Sequence, residues 1–253
     1  MKNNFENNSQ NYVMGRNAVS ELLKSGRDID KLFVRRDAKG TSLSVIIGEA
    51  QKRRIPFVEC DTRKLDEMAN GVPHQGIIAA VAAVEYSTID DMLALAESRF
   101  EKPLLVIADG IEDPQNLGAL IRSAEIAGAH GVIIPKRRAV GAGGSVERAS
   151  AGAIAHVPIA KVTNLAATVK ELKEKGLWIY ASEVGGSAYY ETDFTSPAAI
   201  VLGSEGNGVS HLLKELSDFI VTIPMYGKVN SLNVSAAAAV VLCEAARQRH
   251  LAN

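Results

Sequence analysis

The sequence predicts an α/β protein: a parallel sheet covered on both faces by helices, preceded by a smaller α/β domain. Two observations predict it. Short apolar runs alternate with segments of helical periodicity along nearly the whole chain. In the C-terminal part, three of those runs end in a polar turn containing Gly, Pro or Asn that opens directly into a helix. Leu104–Ala108, ended by Asp109-Gly110, and Ala198–Leu202, ended by Gly203, are unbroken apolar runs, as strands buried on both faces must be.

The first domain spans residues 12–85. Asn17 to Lys24 reads as a short amphipathic helix ended by Gly26, and Lys31 to Arg35 as a strand. Thr41 to Arg53 reads as a helix with Leu43, Ile46, Ile47 and Ala50 on one face. Pro56 to Cys60 is a strand, Asp61 caps a helix that ends at Asn70-Gly71, and Gly76 to Val84 is a long apolar strand. Residues 86–102 form a linker that holds a helix from Ile89 to Ser98. The second domain, 103–253, reads as strands 104–109, 131–134, 157–162, 177–182, 199–203 and 219–223. Its helices fall at 116–127, 145–151, 165–175, 208–214 and 233–249.

Composition narrows the class. A chain of 253 residues with 47% hydrophobic content can bury one large core or two smaller ones. No run of 18 apolar residues occurs, so no membrane span is expected. Residues 1–11 hold five Asn and no apolar stretch, which predicts a disordered tail rather than a signal peptide. Cys60 and Cys243 have no metal-ligand spacing, and the five histidines are scattered. The expectations are two free packing thiols in a reducing cytoplasm and no metal site. His130 and His156 read as structural. The formal charge is −1, but cations cluster at Arg35-Arg36, Lys52-Arg53-Arg54, Arg63-Lys64 and Lys136-Arg137-Arg138. Such clusters form either a phosphate track or a solvated face.

The chemistry concentrates at the three junctions. Ile223-Pro-Met-Tyr-Gly-Lys-Val-Asn-Ser231-Leu-Asn233-Val-Ser235 leads from a strand into an Ala- and Val-rich helix. Ser231, Asn233 and Ser235 there are either plain helix caps or the polar groups of a pocket at a strand end. Asp113-Pro114-Gln115-Asn116-Leu-Gly118 opens the second such helix, which carries Arg122. Leu202-Gly203-Ser204-Glu205-Gly206-Asn207-Gly208 is the third turn. Three junctions of one kind predict a composite site at one sheet edge.

The segments DPQNLGALIRSA, VLGSEGNGVS and IPMYGKVNSLNVSAAAAVVL resemble, in order and spacing, the three motifs of the SpoU-type RNA ribose methyltransferases of the SPOUT superfamily. The resemblance runs from Tyr12 to His250 and is closest to the bacterial branch that methylates a guanosine 2′-oxygen in large-subunit (23S) ribosomal RNA. It implies a deep trefoil knot in the C-terminal domain, an L30e/L7Ae-like RNA-binding domain at the N-terminus, and a homodimer. It implies S-adenosyl-L-methionine as cofactor, held by Leu202, Gly203, Ile223, Met225, Ser231 and Leu232. It implies catalytic roles for Arg122, Asn116, Glu205, Ser231 and Asn233, and an RNA contact at Arg122. Arg35, Arg36 and Arg137, from the clustered cations, are the further expected RNA contacts, and His74, in a His-Gln-Gly stretch that also matches the family, either touches RNA or is structural. Glu205 either orients substrate or anchors its own loop. The Gly-rich stretch Val140 to Val146 departs from the family pattern.

Three rivals compete with that reading. A dinucleotide-binding oxidoreductase would need a third Gly at the position of Val146, and Gly203, Gly206 and Gly208 have the reverse spacing. A non-catalytic RNA-binding protein would not need Asn116, Arg122, Glu205, Ser231 and Asn233 together. A transfer-RNA substrate would suit the same chemistry but not the separate N-terminal domain.

Overall fold

Apolar faces that the sequence spaces at helical and strand periods meet here as two cores, each in its own unit. A computed structural model describes residues 12–24, 29–37, 40–81, 85–228 and 231–252. The expected tail at 1–11, Gly26 and the end of the strand at 82–84 lie outside them. One unit takes in the chain up to Glu85 together with Gly141–Ser145, and the other comprises Tyr86–Val140 and Val146–Asn253.

In the first unit, β1 (Tyr12–Met14), β2 (Ile29–Arg35), β3 (Phe57–Cys60) and β4 (Ile77–Val81) form a sheet of order β1-β4-β2-β3. β4 is antiparallel to β1 and β2, and β2 is parallel to β3. Helices α1 (Arg16–Lys24) and α2 (Thr41–Lys52) place Val19, Leu23, Leu43 and Ile46 in one core with Leu32 and Ile77. Helix α3 (Thr62–Ala69) buries Leu65 and Ala69 in a second cluster with Ile78. Asp61 caps α3 by accepting from the Lys64 N–H, and Asn70 ends it in the left-handed conformation, as the sequence predicts. β1 escaped the sequence reading because three residues are too few to show a period.

In the second unit the sheet order is β10-β8-β9-β5-β6-β7, all parallel. Its strands are β5 (Leu104–Asp109), β6 (Gly131–Pro135), β7 (Ile159–Val162), β8 (Trp178–Ala188), β9 (Ala198–Gly203) and β10 (Phe219–Thr222). The chain grows β5-β6-β7 in one direction and then builds β8, β9 and β10 on the other side of β5. The order therefore reverses between β5 and β9, where open α/β sheets leave a crevice at the carboxyl ends of their strands. The helices are α4 (Ile89–Ser98), α5 (Pro114–Ile126), α6 (Gly144–Ala149), α7 (Leu165–Glu174), α8 (His211–Leu216) and α9 (Val234–Ala252).

Five expectations are corrected. Residues 86–102 are no free linker: α4 buries Ile89 and Met92 in the core of the second unit, because its apolar side finds a face there. β8 runs on to Ala188, six residues past the expected end at 182. Helix α5 starts at Pro114 behind the Asp113 cap, two residues before the expected start, and α8 starts at His211 because residues up to Gly208 form a closed turn. Cys243 is exposed on α9 rather than packed, while Cys60 is partly buried.

His130 is the structural residue the sequence predicts. It is buried, its Nδ1 accepts from the Leu104 N–H at 3.0 Å, and its Nε2 lies 2.9 Å from Glu101 Oε2. Burial pushes its pKa down, with the Glu101 carboxylate opposing in part. The unfolded ring takes up a proton near 6.5 while the folded one resists it. The stability it contributes is thus complete above that value and falls as pH drops below it. We expect the melting temperature to decline less between pH 7.5 and 5.5 in His130→Gln than in the parent chain, as read by circular dichroism.

Candidate active site

The site is built at the carboxyl ends of β5 and β9 and the loop after β10. Asn233 is the hinge of it. As the residue before α9, it turns its side-chain oxygen to the helix and accepts from the N–H groups of Ser235 at 2.9 Å and Ala236 at 3.3 Å. The same oxygen accepts from the Ser235 hydroxyl at 2.5 Å. That capping fixes the orientation of the amide, so its NH2 faces away from the helix. There it donates to Asn116 Oδ1 at 2.9 Å and to the Glu205 carboxylate. Asn233 thus caps α9 and also ties Asn116 to Glu205.

Asn116 stands in the first turn of α5, held in place by Asp113, whose carboxylate accepts from the Gln115 N–H. Glu205 sits on the turn after β9. Gly203, the last residue of that strand, must lack a side chain because a Cβ there would collide with the backbone of Gly208 and Val209. Its demand for glycine therefore comes from the packing of its own loop.

Leu202, Gly203, Glu205, Ile223, Met225, Ser231 and Leu232 all line one cavity of about 380 Å3. Glu183, which the sequence reading missed, lines it too. Its carboxylate accepts from the Val209 N–H at 3.1 Å and lies 3.8 Å from Lys214 Nζ, and its carbonyl accepts from the Thr222 hydroxyl. The pairing of β10 with β8 jumps from Ala181 to Ser187, so Glu183 belongs to a stretch that skips the ladder. A single carboxylate beside Ser182 and Val184 carries no sequence signal of that kind. Asp109, at the end of β5, performs a similar service by accepting from the Ser210 N–H at 2.8 Å.

The other expected residues lie apart from this network. Arg122 is exposed on α5 and shares none of the bonds around Asn233. Six residues separate it from Asn116, which at about 100° each places it roughly 240° round the helix. Arg137 is exposed in the loop after β6. In the first unit Arg36 is exposed and Arg35 pairs with Asp37 at 3.1 Å. The Nε2 of His74 lies 3.0 Å from Asp66 Oδ1, and its Nδ1 accepts from the Gly76 N–H at 3.1 Å. Both ring nitrogens are engaged within the domain, and its side chain is only 11% exposed, which matches the structural one of its two readings. The Gly-rich stretch also has a structural reason, since the Asp30 carboxylate occupies the place a Cβ on Gly141 would take.

A parallel α/β sheet whose strand-end loops bring two asparagines and a glutamate against a small-molecule cavity defines a transferase of the SpoU class once it is compared with known proteins. The SpoU rRNA methylase family model matches residues 103–243, and the RNA 2′-O ribose methyltransferase substrate-binding model matches residues 12–87. The chain belongs to the SpoU/TrmH family of RNA methyltransferases. It is 45% identical over 240 residues to the protein of Bacillus subtilis named "Putative TrmH family tRNA/rRNA methyltransferase YacO", covering 94% of this chain and 96% of that one. Among solved structures it is similar to the SpoU methyltransferase AviRb of Streptomyces viridochromogenes in complex with AdoMet. That match has a TM-score of 0.60 and 25% identity, covering 98% of this chain and 95% of AviRb. The A. aeolicus TrmH/SpoU tRNA modifying enzyme matches with a TM-score of 0.55 and 32% identity over 60% of this chain and 78% of that one. The protein is an RNA methyltransferase that uses S-adenosyl-L-methionine. Among the described residues no helix is long and apolar enough to cross a membrane, and no cluster of potential metal ligands occurs.

Proposed function

We propose that the protein methylates the ribose 2′-hydroxyl of a guanosine in 23S ribosomal RNA, in the cytoplasm and as a homodimer. The observation that carries this reading is the Asn233 amide joining Asn116 to Glu205, whose residue lines the 380 Å3 cavity. The cavity fits the cofactor: Glu183 and Glu205 line it, and among the described residues no Lys, Arg or His does. A ligand bearing a sulfonium and an ammonium against one carboxylate is net positive and suits those walls. Leu202, Gly203, Ile223, Met225, Ser231 and Leu232 would hold it, and when bound it supplies an electrophilic methyl group. The C-terminal segment, in this reading, is threaded as a deep trefoil knot, and the first unit is an L30e/L7Ae-like RNA-binding domain.

The rest of the chemistry falls to the side chains. Arg122 clamps a phosphate of the substrate and stabilises negative charge as it develops on the 2′-oxygen. Its guanidinium stays protonated throughout, so it acts as a charge and a fork of donors, not as a base. Asn116, Glu205, Ser231 and Asn233 fix the ribose against the methyl donor. Arg35, Arg36 and Arg137 contribute phosphate contacts that fix register without reading sequence.

Arg122 lies on a helix face fit for a second copy. α5 packs along α9, and each leaves apolar groups outside: Ile126 is 66% exposed on α5, and Ala236 and Cys243 are exposed on α9. Pairing through these faces would let each protomer complete its partner's RNA site. Sedimentation at micromolar concentration should show a dimer, and a monomer there would overturn the assembly.

Transfer of labelled methyl groups to unmodified transcripts tests the reaction, followed by mapping of alkali-resistant linkages in RNA from strains with and without the gene. The expected result is one resistant guanosine in the large-subunit RNA. Relatives are named for both RNA types, so a resistant linkage confined to transfer RNA would assign that second reading.

A further inference from the structure

A recess beyond the cofactor cavity has had no part so far. It opens at the carboxyl ends of β5, β6 and β7, with a volume of about 510 Å3. Leu165 and Leu213 form an apolar floor, both buried, while Arg137 and Arg138 stand on its rim. It is continuous with the site already described. Gly110, Glu112, Ser204 and Asn207 line both this recess and a cavity of about 320 Å3 that is walled by Asn116 and Glu205. That smaller cavity in turn shares Ser204, Glu205, Asn207 and Val234 with the cofactor cavity. The outer recess also shares Ser204, Asn207 and Gly208 with the cofactor cavity, so the three spaces meet around the turn after β9.

We propose that the outer recess seats the base of the nucleotide being methylated, and that Glu112 selects guanine there. This rests on the reading of the middle cavity as the seat of the ribose. A base lies one glycosidic bond from its sugar, so a ribose held beside Asn116 puts the base at the shared wall formed by Glu112 and Asn207. The volume matches the range of small-molecule clefts, and an apolar floor with a polar rim is what a flat heterocycle with a polar edge needs. Two arginines at the mouth suit the flanking phosphates. RNA is read by splaying a base out and bonding its Watson–Crick edge. Guanine offers two adjacent donors there, N1–H and N2–H, to which one carboxylate can bond twice. Adenine presents an acceptor at N1, which a carboxylate repels. Glu112 is exposed and has no side-chain hydrogen bond or ion pair among the described residues, so its oxygens are available.

Guanosine 5′-monophosphate and adenosine 5′-monophosphate, titrated into the full chain and followed by chemical-shift changes, test this directly. The guanine nucleotide should bind at least about fivefold more tightly, and Glu112→Gln should abolish the difference. Ala166→Trp, which fills the recess from α7, should weaken that nucleotide at least about tenfold and leave the affinity for S-adenosyl-L-methionine within about twofold. Arg138→Glu provides the same contrast without altering packing. Equal affinity for the two nucleotides, no binding of either at millimolar concentration, or unaltered binding by both recess variants would overturn the proposal. A parent chain that prefers guanine but methylates no transcript would retain the recess and sink the reaction instead.

Discussion

Asn233→Asp slows methyl transfer by about a hundredfold while the chain stays folded, the scale of loss expected when reacting groups are misplaced by about an ångström. The reason lies in the two ends of one amide. The oxygen that caps α9 through Ser235 and Ala236 survives in the aspartate, which is as good a cap as asparagine. The NH2 that binds Asn116 and Glu205 does not survive. In its place a second carboxylate oxygen faces the Glu205 carboxylate and the Asn116 carbonyl, so two attractive contacts become repulsive. The three loops then separate without unfolding the helix. Single-turnover rates, with thermal melting as control, check this. Asn233→Ala removes the cap as well and should cost about 1 kcal/mol of stability in addition. An aspartate variant that transfers at the parent rate would show that the network is not needed for the reaction.

Arg249→Ala destabilises the second unit by about 3 kcal/mol or more, the largest stability loss we expect outside the apolar core. Arg249 lies near the far end of α9 and binds four backbone carbonyls. Its Nε donates to Phe194 at 2.9 Å and its Nη1 to Lys102 at 2.7 Å; its Nη2 donates to Pro103 at 3.1 Å and Ser196 at 2.5 Å. Neighbouring Gln248 adds bonds to the Phe194 N–H and the Thr192 carbonyl. Two segments remote in sequence are thereby tied to the helix that carries Asn233 at its other end. Charged hydrogen bonds contribute more than neutral ones, and removing the guanidinium leaves several partly buried acceptors without a donor. For a unit of this size a loss of about 3 kcal/mol corresponds to roughly 6 to 12 °C in melting temperature. Arg249→Lys should recover only part of it, because an ammonium cannot span the fork. A melting temperature unchanged in the alanine variant would mean that solvent replaces these bonds at little cost.

Much of the fold was legible because its signals are local. Strands β5 and β9 are apolar runs bounded by Pro, Asp and Gly, and their expected limits differ from the structure by at most one residue. Asp61 and Asn70 marked the ends of α3 by cap chemistry alone. The failures are non-local. α4 could not be assigned to a core from its own residues, since Met92 is buried only because the second sheet is there to receive it. Cys243 reads as packed in an apolar helix, yet it lies on the side of α9 that faces away from the core. His74 carries two readings in the sequence, because only the fold shows Asp66 and Gly76 holding its two nitrogens.

By itself the sequence determined the elements, the division into a small and a large α/β part, and the polar residues at three strand ends, because periodicity and turn chemistry act over a few residues. Tertiary structure decided which of those residues meet. Asn116 and Asn233 stand 117 positions apart and touch because β9 inserts beside β5, reversing the strand order where their loops emerge. The same folding brought Glu183 to the cavity and left Arg122 outside the network, on another side of α5 from Asn116. Which strands pair is settled by burying both faces of a whole sheet, a condition that no short stretch of sequence contains.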